Sequence, residues 1–173
     1  MDLEGESMFI VGVTLAAVAS AWTQRAYRNW KNYNGTVSFM VLCNLLYYYF
    51  VQDNLLWEYK PGLLRHHRIA ELVITFIAFP CTVLLFLDKL ERTPTKPWVQ
   101  IVKWCFIYCL IEFIAWKKHV IEYHHGWSYG WSCFFVATMF PILLLHHRKA
   151  IAAYVVSIAV ILFYLLVFDI TFP

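Results

Sequence analysis

Residues 98–116 read WVQIVKWCFIYCLIEFIAW, an apolar stretch with one basic residue near its start, Lys103, and one acidic residue, Glu112. A helix needs about 17–25 mostly apolar residues to cross the hydrocarbon core of a bilayer, and this stretch has that length. Lys103 lies near enough to the end of the stretch for its long side chain to reach the membrane surface. Glu112 lies well inside. The sequence therefore predicts a transmembrane helix that carries an internal carboxyl group.

Five other stretches have the same character, and together they predict six transmembrane helices at residues 8–22, 37–57, 69–87, 98–116, 128–145 and 151–168. Of the 173 residues, 61% are hydrophobic and 14% are charged. Soluble domains contain about 45–50% apolar and about 25% charged residues, so this composition excludes a water-soluble globule. The connections are too short to fold separately. We therefore expect a single all-α membrane domain over residues 1–173, with its function in the bundle or at its two ends.

The distribution of charge predicts the orientation and the kind of partner. The connections after the first, third and fifth spans carry more Lys and Arg than the other two, and such connections face the cytoplasm. We therefore expect a multi-pass membrane protein with both termini outside. The absence of a long basic run argues against nucleic acid. The expected partners are the lipid bilayer and a small-molecule or lipid ligand. A homo-oligomer is also possible, because six short helices enclose little space by themselves.

Glu112 is the clearest candidate for a functional residue, because ionisable side chains inside a membrane are costly and mark function. Helical spacing places Tyr108 and Trp116 on the same side of the fourth span as Glu112. If the helix continues past Trp116, His119 and Glu122 join this polar stripe. Two interpretations stay open. In the first, Glu112 has a functional role as a proton relay, a cation or metal ligand, or a catalytic acid. In the second, Glu112 is a protonated side chain that forms a hydrogen bond with a neighbouring helix.

The second span carries another polar stripe, in which Asn44, Tyr48 and Gln52 recur at intervals of four residues. Such side chains commonly join membrane helices by hydrogen bonds. The alternative is that they line a polar cavity shared with Glu112. Under that alternative, the predicted ligand-binding residues are Glu112, Tyr108, Trp116, Asn44, Tyr48 and Gln52.

Histidine and carboxylate residues gather in the connections that are predicted to lie outside. His119, Glu122 and His124 are candidate ligands for zinc or another divalent metal, because imidazole and carboxylate groups suit such ions. No HExxH motif accompanies them, and solvated histidines at the membrane surface are the alternative. Bis-histidine haem would need histidines on facing helices at matched depth, so haem is disfavoured.

Three functions remain open at this point. The leading hypothesis is a membrane-embedded protein that binds or translocates a small apolar or cationic ligand through a cavity containing Glu112. The second is an intramembrane enzyme that acts on a lipid or isoprenoid substrate, with the outer His and Glu residues as acid and base or as metal ligands. The third is a structural or signalling membrane subunit without a ligand.

Several short motifs also carry a resemblance to a known family. They are the NLLYY stretch at 44–48, Leu56-Trp57, Pro80, Ile111-Glu112, Tyr123, Gly126-Trp127, Ser132 and His146-His147-Arg148. In these motifs the chain resembles an uncharacterised family of small polytopic membrane proteins of spore-forming Gram-positive bacteria. The resemblance implies a small multi-span protein of a bacterial plasma membrane. It implies no particular chemistry.

Overall fold

The computed structural model describes the backbone of residues 3–51, 54–60, 67–94 and 96–170, and their side chains except at 3–7 and 67. Within these residues the fold is all-α, with six helices. They are α1 (Leu3–Thr23), α2 (Trp30–Phe50), α3, α4 (Pro97–Lys117), α5 (Tyr129–Arg148) and α6 (Ala150–Val167). Helix α3 consists of three consecutive segments, His67–Val73, Ile74–Ala78 and Phe79–Arg92. A short 3₁₀ turn, Ala26–Asn29, joins α1 to α2.

Four of these helices are long and apolar enough to cross a membrane. They are α3 from Arg68, α4, α5 and α6. In α1 the apolar stretch described by the structure, Met8–Thr23, is shorter. These four helices support the prediction that the chain is a membrane protein. Helices suit a bilayer because each one satisfies its own backbone hydrogen bonds where no water is present.

The second helix departs from its predicted limits. Helix α2 begins at Trp30 and ends at Phe50, whereas the predicted span runs over residues 37–57. The apolar residues Leu56 and Trp57 extended the prediction, but the structure uses them for packing beyond the helix. Leu56 is buried beside Trp127, and Trp57 begins a β-strand.

A two-stranded antiparallel sheet closes one end of the bundle, which we call the sheet end. Strand β1 (Trp57–Tyr59) follows α2, and strand β2 (Ile121–Tyr123) follows α4, with Trp57 opposite Tyr123 in the register. The sheet therefore joins the second connection to the fourth. Helix α4 stops at Lys117, and His119 adopts a left-handed backbone with φ 57°. The predicted extension of the polar stripe to His119 and Glu122 is therefore wrong.

The other end, which we call the distal end, gathers the remaining three connections. Asn29 before α2 donates to Asp88 near the end of α3 at 2.9 Å. Thr36 of α2 hydrogen-bonds His146 at the end of α5 at 3.0 Å. Successive helices therefore run in alternating directions between the two ends.

The third helix contains a wide π-helical turn, Ile74–Ala78, at mid-bundle. Pro80 follows it directly, and proline has no N–H to donate to the carbonyl of Phe76. Wide turns of this kind arise where the regular hydrogen-bond ladder is interrupted. The turn positions Ile74 and Phe79 against two cavities inside the bundle.

Candidate functional site

Glu112 lies on α4, about 7–8 Å along the axis from the end of the helix at Lys117. The Tyr123 hydroxyl donates a hydrogen bond of 2.9 Å to Glu112 Oε1. The Ser132 hydroxyl interacts with both of these groups, and Trp127 Nε1 donates to Ser132 Oγ at 2.7 Å. Within the described residues, no Lys, Arg or His forms an ion pair with Glu112. The carboxyl group is thus held by neutral donors.

The chain between α4 and α5 folds so that these donors reach Glu112. Strand β2 ends at Tyr123, and the next residues make a tight turn in which His125 and Gly126 have φ values of 50° and 80°. Glycine tolerates this left-handed backbone without steric cost. The turn brings Trp127 back under the sheet and starts α5, which carries Ser132.

Two tyrosines beside Glu112 lie in the strands, outside the spans. Burial raises the pKa of Tyr123 well above its ordinary value, and the nearby Glu112 carboxyl raises it further. Burial and the same carboxyl also raise the pKa of Tyr59. Both hydroxyls therefore stay protonated at neutral pH and are available as hydrogen-bond donors.

A cavity of about 230 Å³ opens beside Glu112, and we call it the first cavity. Four of the six predicted ligand-binding residues line it, namely Glu112, Tyr108, Asn44 and Tyr48. Aromatic rings form much of the remaining wall, including those of Trp57, Trp127, Phe79, Phe135 and Tyr164. The structure thus brings the two predicted polar stripes to one aromatic cavity.

The other two predicted ligand-binding residues are Trp116 and Gln52. Trp116 is not among the described residues that line the first cavity. Its ring stacks on Tyr129 at 6.3 Å between centroids, and Lys117 Nζ lies 4.8 Å from its centroid. Trp116 is therefore an aromatic residue of the bundle's outer surface. Gln52 lies outside the described residues.

The polar residues of α2 also join helices, as the simpler interpretation predicted. Asn44 Nδ2 donates to Thr75 Oγ1 at 2.6 Å, and Thr75 donates to the Glu71 carbonyl at 2.7 Å. The Tyr48 hydroxyl interacts with the Glu71 side chain. Asn44 and Tyr48 therefore both line the cavity and fasten α2 to α3.

Glu71 is a second buried carboxyl group near the sheet end. It is 7% exposed, and its Oε1 atom has no hydrogen-bond partner among the described residues. The sequence signal for it is an acid near the start of an apolar span. Tyr59, by contrast, carried no signal, because its place beside Glu112 depends on pairing between strands far apart in the chain.

A second cavity of about 560 Å³ lies on the other side of Glu112, between α1, α3 and α4. Six residues line both cavities and form what we call the shared wall: Tyr59, Ile74, Phe79, Tyr108, Glu112 and Ile121. Tyr108 is fixed in this wall because its hydroxyl donates to Thr82 Oγ1 at 2.7 Å. Glu112 is the one acidic residue of the wall.

The predicted metal ligands do not come together. Glu122 forms an ion pair with Lys60 at 2.7 Å, and His119 and His124 are exposed. In the part of the chain that the structure describes, no three His, Cys, Asp or Glu side chains form a group that could hold a metal ion. Within the described residues, the structure therefore gives the metal hypothesis no assembled site.

Comparisons with known proteins add no further constraint. No family model, no curated protein and no solved structure matches this chain. The resemblance to the family from spore-forming bacteria stays a prediction.

Proposed function

We propose that this protein binds a small organic cation with a largely apolar surface in the first cavity, beside Glu112. The observation that carries the proposal is a carboxyl group, without a described basic partner, that faces a cavity walled by aromatic rings. Ring faces attract cations through their quadrupole, and a carboxylate adds a full opposite charge. An apolar cation therefore gains from both parts of this cavity.

The neutral donors around Glu112 suit this role. Tyr123 and Ser132 contact the carboxyl group as neutral donors, so a cationic ligand supplies the positive charge that the described residues do not. The volume of about 230 Å³ is below the range of about 300–1,000 Å³ typical of sites for drug-sized molecules. The ligand is accordingly a small one.

We further propose that all six helices cross a bacterial plasma membrane, with both termini outside. The alternating directions of the helices support this arrangement. So does the pairing of β1 with β2, because it puts the second and fourth connections on one side. The termini then lie on the side of the sheet, and the more basic connections lie on the cytoplasmic side.

Translocation of the cation is a second candidate function. It is favoured by the position of Glu112 in the shared wall, where one carboxyl group meets both cavities. A side chain in that position can release a ligand to either cavity after a small change of rotamer. Binding is the property that both candidates share, and it is tested first.

The test compares a cation with its neutral isostere. Benzyltrimethylammonium and neopentylbenzene have the same shape and differ in charge. Each is titrated into the purified protein in detergent, and the fluorescence of Trp57 and Trp127, which line the cavity, reports binding. We expect the cation to bind more tightly, and Glu112→Gln to remove that advantage while leaving the isostere unaffected.

The matched control is Glu122→Gln, which removes a carboxylate that is 47% exposed and paired with Lys60 at the same end of the bundle. It should leave the binding of both compounds unchanged. Equal binding of the cation by the native protein and by Glu112→Gln contradicts the proposal. Failure of both compounds to bind favours the structural or signalling subunit instead.

A further inference from the structure

The second cavity is an elongated groove that the proposed binding of a cation does not use. Its walls are largely apolar and come from α1, α3 and α4. On α1 the lining includes the small residues Ala16, Ala17 and Ser20. Small side chains leave space between a helix and its neighbours. These residues of α1 therefore help to form the groove.

The groove has a positively charged end. Lys89 of α3 and Lys103 of α4 both line it, and both are exposed. Neither forms an ion pair with any residue that the structure describes. Gln24, just after α1, adds a polar group at the same end. Two lysines, without an ion-pair partner among the described residues, and one amide therefore surround the mouth of an apolar groove.

The opposite end of the groove fixes the direction of any charged occupant. Glu112 lies there, in the shared wall, and a carboxyl group repels an anion. An anionic group therefore belongs at the lysine end, while the apolar part of the same molecule runs toward the shared wall.

The length of the groove matches one leaflet of a membrane. Lys103 and Glu112 are nine positions apart on α4, which corresponds to about 13–14 Å along the helix axis. The hydrocarbon core of a bilayer is about 30 Å thick, so one leaflet supplies about 15 Å of acyl chain. A chain that starts at the two lysines ends near the shared wall.

We propose that this groove binds a membrane lipid with an anionic phosphate head group. The phosphate contacts Lys89 and Lys103, and one acyl chain lies along Ile107 and Ile111 of α4. The lipid comes from the leaflet at the distal end of the bundle. Basic residues at a membrane surface attract anionic lipids, and here the attraction is joined to a fitted apolar groove. The lipid occupies a different cavity from the one proposed for the cation, and the two cavities meet at the shared wall.

Native mass spectrometry of the detergent-purified full chain tests this site. The protein is incubated with equal amounts of phosphatidylglycerol and phosphatidylcholine that carry identical acyl chains. We expect phosphatidylglycerol to be retained preferentially. Replacing one lysine, as Lys89→Gln or Lys103→Gln, should reduce that preference about fivefold, and replacing both about 25-fold.

Matched controls separate this groove from general attraction of the basic surface. Lys31→Gln combined with Lys149→Gln removes two exposed lysines of the distal end that are not among the residues lining the groove, and it should leave the preference intact. An equal loss in both double variants overturns the proposal. So does an absence of preference in the native protein.

The apolar part of the site has its own pair of variants. Ala16→Phe places a ring in the groove, whereas Ala19→Phe places one on α1 away from its lining residues. We expect Ala16→Phe to reduce retained lipid at least tenfold and Ala19→Phe to leave it unchanged, with circular dichroism confirming equal helix content. Equal retention by the two variants contradicts the groove as the binding site.

Discussion

Asp88 and Glu91 at the distal end of the bundle differ in their partners from Glu112 and Glu71 at the sheet end. At the distal end, Asp88 accepts from Asn29 at 2.9 Å and forms an ion pair with Arg92 at 2.9 Å. Glu91 there accepts from Tyr33 at 2.7 Å and contacts His147 at 3.0 Å. Each of these carboxylates has both a neutral donor and a basic side chain.

At the sheet end, the carboxyl groups of Glu112 and Glu71 have neutral hydrogen-bond partners, whereas the exposed Glu122 pairs with Lys60. Glu112 accepts from Tyr123 and interacts with Ser132. Glu71 has Tyr48 beside it and one oxygen without a described partner. A buried charge is costly unless it is paired. A buried carboxyl group that has only neutral partners therefore stabilises the fold less than one that is paired with a basic side chain. The contrast indicates that the distal carboxylates join neighbouring helices, whereas Glu112 has no basic partner among the described residues.

Replacing Glu112 gives the largest expected effect. We expect Glu112→Gln to weaken binding of benzyltrimethylammonium by at least about 30-fold, because removing one partner of a buried charged contact costs about 2–5 kcal/mol. The free energy of unfolding should change by less than about 1 kcal/mol, since a glutamine still accepts from Tyr123. Titration by fluorescence and thermal unfolding in detergent measure the two quantities.

Glu91→Gln is the matched change at the distal end. It should leave binding of the cation unaffected, because Glu91 is not among the residues that line either cavity. A similar loss of binding in both variants would show that the two ends do not differ in the way described.

Replacing Asp88 gives the next largest effect, this time on stability. Asp88 is 5% exposed, and hydrogen bonds to a charged group contribute about 1.5–3 kcal/mol. We expect Asp88→Ala to lower the free energy of unfolding by about 2 kcal/mol, because Asn29 loses its acceptor and Arg92 its counter-charge. Unfolding by heat or by sodium dodecyl sulfate measures it.

The control for Asp88 is Asp169→Ala, which removes an exposed carboxylate after α6. It should change stability by less than about 0.5 kcal/mol. If Asp88→Ala is equally harmless, the contacts at the distal end do not fasten the bundle.

The helices were largely predictable from the sequence, because the length of an apolar run sets the length of a span. Helices α4 and α6 begin and end within one residue of the predicted limits 98–116 and 151–168. The limits of α2 were not predictable in this way. Leu56 and Trp57 are as apolar as the helix before them, and only their packing on Trp127 separates them from it.

The candidate site was predictable in part. Helical spacing alone placed Tyr108 with Glu112, and both line the first cavity. Tyr123 as the partner of Glu112 depends on a three-residue strand, which is too short to leave a periodic pattern. The metal hypothesis rested on His119, Glu122 and His124 lying at one end of the bundle, but Glu122 pairs with Lys60 and the described residues form no group of three ligands.

Alkaline pH should weaken the sheet end by a smaller amount. Burial raises the folded-state pKa of Tyr59 and of Tyr123 above the ordinary value of about 10. A raised pKa gives stability that is fully present below about pH 10 and is lost as the pH rises toward the folded-state value. Raising the pH from 10 to 11 should therefore lower the free energy of unfolding by about 1 kcal/mol for each of these two tyrosines.

The comparison of variants isolates this contribution from the titration of other groups. Tyr59→Phe and Tyr123→Phe should each lose less stability over that interval than the native protein, whereas Tyr27→Phe, at an exposed tyrosine of the distal end, should follow the native protein. Absorbance at 295 nm during the titration reports ionisation directly. Ionisation of all the tyrosines near pH 10 in the folded protein would contradict the burial of these two.

The smallest effect concerns two adjacent histidines at the distal end. Successive helical residues point about 100° apart, and the two side chains meet different surroundings. His146 is buried, stacks on Phe39 at 4.2 Å between centroids and hydrogen-bonds Thr36. His147 contacts Glu91, which is 44% exposed, and such pairs contribute only about 0–1 kcal/mol. We expect His147→Ala to lower the free energy of unfolding by about 0.5 kcal/mol and His146→Ala by more, because the latter leaves a cavity beside Phe39. Chemical unfolding of both variants at pH 7 measures the difference. Equal losses would mean that the His147–Glu91 pair joins α5 to α3 as strongly as the buried His146 ring joins α5 to α2. Partial exposure to solvent would then not weaken the pairing of carboxylates at the distal end.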